Sequence, residues 1–498
     1  MTNQEIYDFL KTLNCCNICC LRYLKARGDE YEQIERTFKD LGVVFKIESS
    51  GTIGSNIKKF KPNICSVCFD VFSNSFLDSV IDSISKSPEI NKFQCDKVVT
   101  AISLPTLFYI RQLSIWLLLC EKFPSRISRE KPPDVPIKEA IKLIMNPRIC
   151  RALGKSYDTS SNLGVMINIT LNHKSEQDEI EKMSQFICEL KLEKTSKHRK
   201  RIVATRGLLE KCFTPTKVSL NEFQKYFNVL LEIPIEAIYL ESISFAGPTV
   251  FLAGRYRKLS RNLPHSPWIL DGQRVLEESI QEIIIENISE YFGTSNSNII
   301  FSSSGREDVD VRCLGNGRPF VLEIPDSKVT NLSLRSAAQM EFNIEKSKKI
   351  SVINLQMVNR DELIHIKSGE ENKKKIYRAL CVLGTPVTIE ILKKLNMPNG
   401  FITQQKTPIR VLHRRPLHTR PKIVHSVQAT ISKDKKNILI LDLTTQAGCY
   451  IKELVHGEFG RTHPSISSII NQPVDIIALD VIGIDLDWPK NIDNRQYL

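Results

Sequence analysis

Two pairs of cysteines near the amino terminus constrain the fold of this 498-residue chain more than any other feature. Cys16 and Cys19 form one CxxC pair, and Cys65 and Cys68 form a second pair after 45 intervening residues. Four thiolates can fill the tetrahedral coordination sphere of zinc, and they leave no open position for a water molecule. The spacing therefore predicts a structural zinc site that ties the amino terminus to the start of the next domain.

The register of the first pair stays open at this point, because Cys15 and Cys20 flank it and either could compete as a ligand. The chain has 14 cysteines. Its amino terminus has no long apolar stretch typical of a signal peptide, and its longest apolar run, residues 113–120, is too short to cross a bilayer. We therefore expect the nucleus and cytoplasm, with mitochondria as a further candidate, where thiols are mostly reduced and paired cysteines favour metal binding over disulfides.

The charge balance predicts a polyanionic partner. Lys and Arg total 69 against 56 Asp and Glu, and the formal net charge is +13. Such an excess favours nucleic acid first and an anionic membrane second. Two basic segments, residues 194–206 and 410–420, are candidates for contact with RNA phosphates. The first could equally be a solvated linker or a nuclear import signal. The candidate RNA-binding residues are Lys197, Arg199, Arg201, Arg410, Arg414 and Arg415.

Apolar patterns predict a mixed α+β fold. A buried helix is expected at residues 113–120, and another helix is indicated by apolar residues at every fourth position from 276 to 288. Strands are expected at residues 164–171, 249–253, 320–324 and 438–444. We place domain boundaries so that residues 1–70 form a zinc-binding region, residues 71–236 an accessory region and residues 237–498 one large α+β domain.

The segment 301–320 concentrates charge beside several glycines. It reads FSSSGREDVDVRCLGNGRPF and holds Arg306, Glu307, Asp308, Asp310 and Arg312 within seven residues. A solvated charged turn is one interpretation. The other is a carboxylate that neighbouring guanidinium groups keep ionised, as nucleophilic or base chemistry requires. The glycines would then let an RNA backbone come close.

Two more segments carry candidate site residues. In residues 445–461, TQAGCYIKELVHGEFGR, a strand ends, the chain turns at Gly448, and a short helix carries Lys452, which could reach a carboxylate on a neighbouring loop. In residues 373–380, KKKIYRAL, Tyr377 follows a run of lysines. An aromatic ring there could stack on a base while the lysines meet phosphates. A surface lysine and a buried tyrosine are the alternatives.

Together these segments resemble the tRNA pseudouridine synthase family of archaea and animals known as pseudouridine synthase ten. The resemblance covers residues 237–498 and, more loosely, the amino-terminal region. The matching stretches are AGRYRKLSRNLPHSPWILDGQR (253–274), FSSSGREDVDVRCLGNGRPF (301–320), QKTPIRVLHRRPL (405–417), TQAGCYIKELVHGEFGRTHP (445–464) and DLDW (485–488).

The resemblance implies a pseudouridine synthase catalytic fold with a central mixed sheet, whose catalytic aspartate is Asp308. Arg306 would displace the target base and hold the carboxylate. Tyr377 matches an active-site tyrosine that packs against the base. Lys452 stands where related synthases have an arginine, so its salt bridge to Asp308 lacks the planar guanidinium fork. Leu454 matches the apolar residue that follows.

The resemblance also implies an amino-terminal, THUMP-containing domain with one structural zinc held by Cys16, Cys19, Cys65 and Cys68. The expected reaction isomerises uridine to pseudouridine in the T-loop of tRNA, at positions fifty-four and fifty-five, without an organic cofactor. An alternative is a non-catalytic RNA-binding factor in primary microRNA processing, with that processing complex as its partner. A zinc-dependent hydrolase is disfavoured, because the sequence offers no three-ligand cluster for an open metal site.

Overall fold

The computed structural model describes residues 2–45, 64–132, 134–159, 162–189, 204–227, 234–371, 373–492 and 495–497. The chain divides into two compact units, an amino-terminal unit of residues 1–247 and a carboxyl-terminal unit of residues 248–498. Lys197, Arg199 and Arg201 lie outside the described residues.

The amino-terminal unit is mainly helical. Its helices are α1 (Asn3–Thr12), α2 (Asn17–Tyr23), α3 (Ile34–Asp40), α4 (Asn74–Ser85), α5 (Leu107–Lys122), α6 (Ile137–Leu153), α7 (Glu176–Glu189), α8 (Arg206–Cys212) and α9 (Leu220–Gln224). Its strands are β1 (Lys97–Ser103), β2 (Ser156–Tyr157), β3 (Val165–Asn172) and β4 (Tyr239–Ala246). Helix α5 contains the predicted buried segment 113–120. It is apolar around most of its circumference because one side packs into the main core and another into a cluster with α7, α8 and α9.

A small sheet forms the other part of this unit. Its strand order is β2-β1-β3-β4, and β4 pairs antiparallel with β3, which confirms the strand predicted at 164–171. The predicted domain boundary near residue 236 precedes β4, whereas the compact units divide after Gly247. The THUMP-type fold stays a prediction. In the described part of the chain, no helix has the length and apolar character that a membrane span needs.

The carboxyl-terminal unit is built on one large sheet. Its strands are β5 (Val250–Lys258), β6 (Ile269–Leu270), β7 (Gln273–Arg274), β8 (Ile300–Ser303), β9 (Arg312–Ile324), β10 (Ile350–Val358), β11 (Lys375–Leu383), β12 (Phe401–Lys406), β13 (Thr419–Ile431), β14 (Ile438–Thr445), β15 (Thr462–His463) and β16 (Val474–Ile484). Its helices are α10 (Ile280–Glu286), α11 (Ser289–Phe292), α12 (Leu334–Glu345), α13 (Ile364–Glu371), α14 (Ile389–Leu395), α15 (Ile451–His456) and α16 (Ile466–Ile470).

Within the described residues, ten of these strands form one sheet in the order β10-β5-β9-β16-β11-β14-β13-β12-β15, with β8 paired to β9. Strands β9 and β16 run parallel, and the other neighbours run antiparallel. The sheet is therefore mixed, and the predicted fold class is confirmed. Two apolar clusters pack on it, one around β5, β9 and β10 with α10 and α12, and one around β11, β13, β14 and β16 with α14 to α16.

The glycines of segment 301–320 have a structural role in β9. Gly315 and Gly317 both have positive φ, and a Cβ atom on Gly315 would lie 2.0 Å from the carbonyl oxygen of Ile482. They lie in an irregularity of β9 between Cys313, which pairs with both β5 and β16, and Arg318, which pairs with β5. Both glycines thus lie close to the protein's own backbone, and the approach of an RNA backbone to this segment stays a prediction.

Candidate active site

Asp308 lies in the loop that joins β8 to β9, and cations from two other segments reach its carboxylate. Its Oδ2 atom is 3.0 Å from Nη1 of Arg410 and 3.6 Å from Nζ of Lys452. Its side chain is 38% exposed, so a ligand can approach the carboxylate. Arg410 belongs to the segment between β12 and β13, and Lys452 lies on α15. The large sheet thus brings three separated segments together at one accessible carboxylate.

Arg410 bridges two carboxylates. Besides its contact with Asp308, its Nε atom donates to Oε1 of Glu453 at 2.8 Å. Glu453 is the residue after Lys452 on α15, and its side chain is only 2% exposed. Burial lowers the pKa of Arg410, but the hydrogen bond to Glu453 and the charges of Glu453 and Asp308 raise it more. The guanidinium therefore stays charged and has a fixed orientation beside Asp308.

Lys452 is shared between two aspartates and lies closer to Asp310 than to Asp308. Its Nζ atom donates to both carboxylate oxygens of Asp310, at 2.9 and 2.8 Å. Burial raises the pKa of Asp310, but the hydrogen bond and charge of Lys452 lower it more, so that the net shift is downward. The predicted ion pair between Lys452 and Asp308 is present at 3.6 Å, with Asp310 as the nearer partner.

A buried ionic cluster around Glu307 anchors the loop that carries Asp308. Glu307 accepts from Nε of Arg318 at 2.8 Å and from the hydroxyl of Tyr256 at 3.1 Å. Both partners lie on the adjacent strands β5 and β9. Burial lowers the pKa of Arg318, but the charge of Glu307 together with smaller effects of neighbouring groups raises it more, so that the net shift is upward. Glu307 therefore points inward, and its sequence neighbour Asp308 points to the accessible side.

Lys258 fixes the backbone of the same loop. This lysine at the end of β5 is 0% exposed, and its Nζ atom donates to the carbonyl oxygens of Asp308 and Val309 at 2.9 and 2.7 Å. Burial lowers the pKa of Lys258 to about 8. The ammonium group thus holds the loop through two charge-assisted hydrogen bonds, one to the backbone of Asp308 and one to the backbone of Val309.

The other residues that the resemblance selected take different positions. Tyr377 is half-buried on β11, where burial raises its pKa, and Leu454 is fully buried in the core beneath α15. Arg306 is exposed, and in the described part of the chain the ion pairs of Asp308 come from Arg410 and Lys452. The expected contact of Arg306 with the carboxylate is thus made by Arg410.

The segment between β12 and β13, residues 407–418, is called the basic loop below. Its base is closed by the pair Thr407 and His418, whose backbone groups hydrogen-bond at 2.8 Å. Arg414 and Arg415 are exposed, as expected for residues that meet phosphates, and Arg415 donates to the hydroxyl of Tyr450 at 3.1 Å. Arg410, predicted as a third phosphate contact, instead faces Asp308 and Glu453.

The four predicted cysteines come together in the amino-terminal unit. The Sγ atoms of Cys16, Cys19, Cys65 and Cys68 all lie within 4.8 Å of one another. The pair Cys16–Cys68 is separated by 3.7 Å and the pair Cys19–Cys65 by 3.9 Å. Ligands about 2.3 Å from a tetrahedral zinc ion lie about 3.8 Å apart, so this group could hold such an ion.

Comparison with known proteins assigns the family. The family model described as "Pus10, C-terminal" matches residues 251–485, and "Eukaryotic Pus10, N-terminal" matches residues 65–244. The chain is 50% identical over 503 aligned residues to the "Putative tRNA pseudouridine synthase Pus10" of Drosophila melanogaster, with 100% of each chain covered. It is 36% identical to the "tRNA pseudouridine synthase Pus10" of Homo sapiens, covering 95% of this chain and 86% of that one. The chain belongs to the Pus10 family.

A solved Cbf5-Nop10-Gar1 complex also matches, at 14% identity over 46% of this chain and 47% of that chain, with a TM-score of 0.26.

Within this Pus10-family site, sequence reasoning missed the partners that orient Asp308. Glu453 and Lys258 were not selected, because each stands beside another charged residue, Lys452 and Arg257, and such charged residues usually lie at the surface. One signal was available: Glu453 directly follows Lys452 in a short helix that otherwise faces the core, where a carboxylate requires a cationic partner.

Proposed function

We propose that this chain isomerises uridine to pseudouridine in tRNA, with Asp308 as the catalytic carboxylate. One observation carries the assignment to this residue. Asp308 is the accessible carboxylate that Arg410 and Lys452 contact together, and Lys258 and the Glu307 cluster immobilise its loop. The family supports the reaction, since the relatives that span the chain are named tRNA pseudouridine synthases.

The arrangement suits a reaction on a nucleotide that has left its stack. A flipped uridine can reach the open side of Asp308, whose charge Arg410 and Lys452 stabilise. The carboxylate then acts on the sugar, as nucleophile or as base, while the N1–C1′ glycosidic bond breaks, the uracil rotates and a C5–C1′ bond forms. Carbon C5 loses its proton and N1 gains one, so the isomerisation balances. The atoms and electrons of uridine are rearranged without a net redox change, so the proposal includes no organic cofactor. Tyr377 would pack against the base, Arg306 would help to displace it, and the T-loop uridines are the proposed targets.

The test compares two neighbouring carboxylates. Asp308→Asn should abolish pseudouridine formation and leave tRNA affinity nearly unchanged, because the amide cannot act as a nucleophile or base. Asp310→Asn is the matched control and should retain turnover, since Asp310 reaches the site only through Lys452. Pseudouridine is mapped by sequencing chemically labelled tRNA after incubation with the purified protein. Substantial turnover by Asp308→Asn, together with loss in Asp310→Asn, would transfer the role to Asp310.

We also propose that the four-cysteine group binds one structural zinc ion per chain. The grouping of Cys16, Cys19, Cys65 and Cys68 supports this ligand set, since Cys15 and Cys20 lie outside it. The backbone N–H groups of Cys16 and Cys19 donate to the sulfurs of Cys65 and Cys16 at 3.2 and 3.4 Å, an arrangement that favours thiolates. With four sulfur ligands no position is left for a reacting water, so the ion would stabilise the fold.

The alternative of an RNA-binding factor in primary microRNA processing stays a prediction. The fixed pair of Asp308 and Arg410 favours the catalytic assignment, because a purely RNA-binding surface has no use for an oriented, accessible carboxylate beside its phosphate contacts.

A further inference from the structure

The turn that follows α15 has an uncommon backbone. Gly457, Glu458, Phe459 and Gly460 are consecutive, and all have positive φ, at +80°, +44°, +55° and +81°. Glycine adopts this left-handed region freely, but a residue with a Cβ atom is strained there. Glu458 and Phe459 therefore hold a conformation that their own side chains disfavour, and the surrounding structure must maintain it.

Glu458 supplies the contacts that fix the turn. Its buried carboxylate accepts from the backbone N–H of Ile409 at 2.8 Å and from Nε of Arg461 at 3.2 Å. The backbone N–H of Thr462 donates to the carbonyl oxygen of Gly457 at 3.1 Å. Arg461 in turn donates to the carbonyl oxygen of Thr407 at 2.6 Å. The turn is thus anchored to the base of the basic loop.

This anchored turn presents the ring of Phe459 to solvent. Phe459 is 97% exposed, so the fold gains almost nothing from its apolar surface. A strained backbone and an unburied aromatic ring both oppose folding. Where the surrounding contacts nevertheless maintain such strain, a functional requirement is a reasonable inference.

The chemical surroundings of the ring indicate its ligand. The same Glu458 carboxylate that fixes Phe459 also fixes Ile409, and the next residue, Arg410, contacts Asp308. Arg414 and Arg415, both exposed, lie farther along the same loop. An exposed aromatic ring on a turn that is anchored to a loop with exposed guanidinium groups suits a nucleobase whose flanking phosphates meet the cations.

We propose that Phe459 stacks on a base of the substrate RNA that flanks the target uridine. The target itself belongs at Asp308. The Phe459 turn contacts Ile409 through Glu458, and the next residue, Arg410, contacts Asp308. Both sites are thus anchored to the start of the basic loop, so binding the flanking base would place the neighbouring uridine. The inference rests on the proposed function for the identity of the RNA, and its test is a binding measurement that does not require turnover.

The experiment compares three replacements of Phe459 in the full chain, with an unmodified tRNA transcript as the probe. Phe459→Ala and Phe459→Leu should weaken tRNA affinity about tenfold, whereas Phe459→Tyr should stay close to wild type, because stacking needs a π-face and not only apolar surface. Ile389→Ala is the matched control, since Ile389 on α14 is 72% exposed and lies outside the proposed site. Its affinity should be unchanged.

A second measurement checks the contact directly. In Phe459→Trp, the new indole should lose fluorescence when tRNA binds, over and above any change from the three native tryptophans in the wild-type chain. Unchanged affinity in Phe459→Ala would overturn the inference, and so would wild-type affinity in Phe459→Leu, which would mean that a simple apolar contact suffices. An absence of pseudouridine formation by the wild-type chain would remove the proposed function and leave the stacking test intact.

Discussion

Arg410 Nη1 lies 3.0 Å from Oδ2 of Asp308, although the two residues are 102 positions apart in the sequence. The contact is directional, because the Nε atom of the same guanidinium is held by the buried carboxylate of Glu453. A planar fork that is fixed on one side can present its other N–H groups in only one orientation. The basic loop therefore has a role besides its proposed contact with RNA, since one of its arginines sets the position and charge environment of the proposed catalytic carboxylate.

Arg410→Lys should lower turnover about a hundredfold while tRNA affinity changes little. A lysine keeps the positive charge, but a single ammonium group cannot hold Glu453 and orient Asp308 at the two observed positions. Loss of alignment of a reacting group by about 1 Å is sufficient for an effect of this size. Single-turnover kinetics with saturating enzyme measures the chemical step, and equilibrium binding of the tRNA transcript measures affinity.

The control is Arg414→Glu, a change in the same loop at an exposed arginine. It should weaken affinity and leave turnover of the bound tRNA near wild type, because a phosphate contact attracts RNA without touching Asp308. If Arg410→Lys instead reduced affinity and preserved the saturated rate, Arg410 would be the phosphate contact that the sequence alone predicts.

The contribution of Lys258 to the stability of the carboxyl-terminal unit should rise with pH in the alkaline range. Its pKa is about 8 in the folded protein, against about 10.4 for an unfolded lysine. Between these values the unfolded state binds more protons, so the free energy of unfolding contributed by this group rises with pH. Below pH 8 both states are protonated and the contribution is constant. Wild type should therefore gain stability relative to Lys258→Met from about pH 8 to about pH 10, as measured by denaturant unfolding.

The difference between the two proteins is the informative quantity, since cysteines and tyrosines of the unfolded state also titrate in this range and cancel in the comparison. Lys433→Met, at an exposed lysine in the turn after β13, should track wild type at every pH. A constant difference between wild type and Lys258→Met would mean that the buried ammonium has an ordinary pKa.

Local sequence patterns were sufficient for the elements that frame the site. The apolar runs that become β5, β9 and β14 are visible in the sequence, because each packs on a buried face. The helix predicted from the four-residue repeat begins only at Ile280, so Leu276 precedes it. The end of β14, the turn at Gly448 and the helix with Lys452 also follow the sequence pattern.

The partners of Asp308 could not be predicted in the same way. The contacts of Arg410 and Lys258 with the Asp308 loop join segments that are 102 and 50 residues apart, and they depend on strand order. Basic residues in a run such as 410–420 look equivalent in sequence, yet only the fold distinguishes Arg410, which faces carboxylates, from the exposed Arg414. Family resemblance identified Asp308 and its ion pair with Lys452, but not the closer contact of Asp308 with Arg410.

Cys65→Ser should remove bound metal and destabilise the amino-terminal unit. Purified wild type is expected to contain about one zinc per chain, by the four-ligand count, and the variant well under half of that. Cys65 is central to the group, since its sulfur also accepts from the backbone N–H of Cys16 at 3.2 Å. Elemental analysis and thermal unfolding with and without a chelator provide the two readouts.

Cys95→Ser is the control for this change, because Cys95 is a buried thiol outside the four-cysteine group. It should keep the metal and lose only the small stability expected for one buried side chain. Equal metal content in wild type and Cys65→Ser, or a metal-free wild type, would contradict the zinc assignment.

The affinity for tRNA and the choice of the modified uridine should depend on different halves of the chain. Reversing the charges at Lys197, Arg199 and Arg201 together should weaken tRNA affinity and reduce its salt dependence, because each lost phosphate contact lowers the slope of log affinity against log salt by about 0.7–0.9. The modified uridine should not change, since the proposed catalytic carboxylate lies in the other half.

Tyr377→Ala should do the opposite and lower turnover more than affinity, because its proposed contact is with the flipped base at Asp308. Affinity is titrated at several salt concentrations, and the modified position is mapped by sequencing. If the triple reversal left affinity at physiological salt unchanged, residues 194–206 would be a linker or an import signal. Equal loss of binding and turnover in both variants would show that the two functions are not divided in this way.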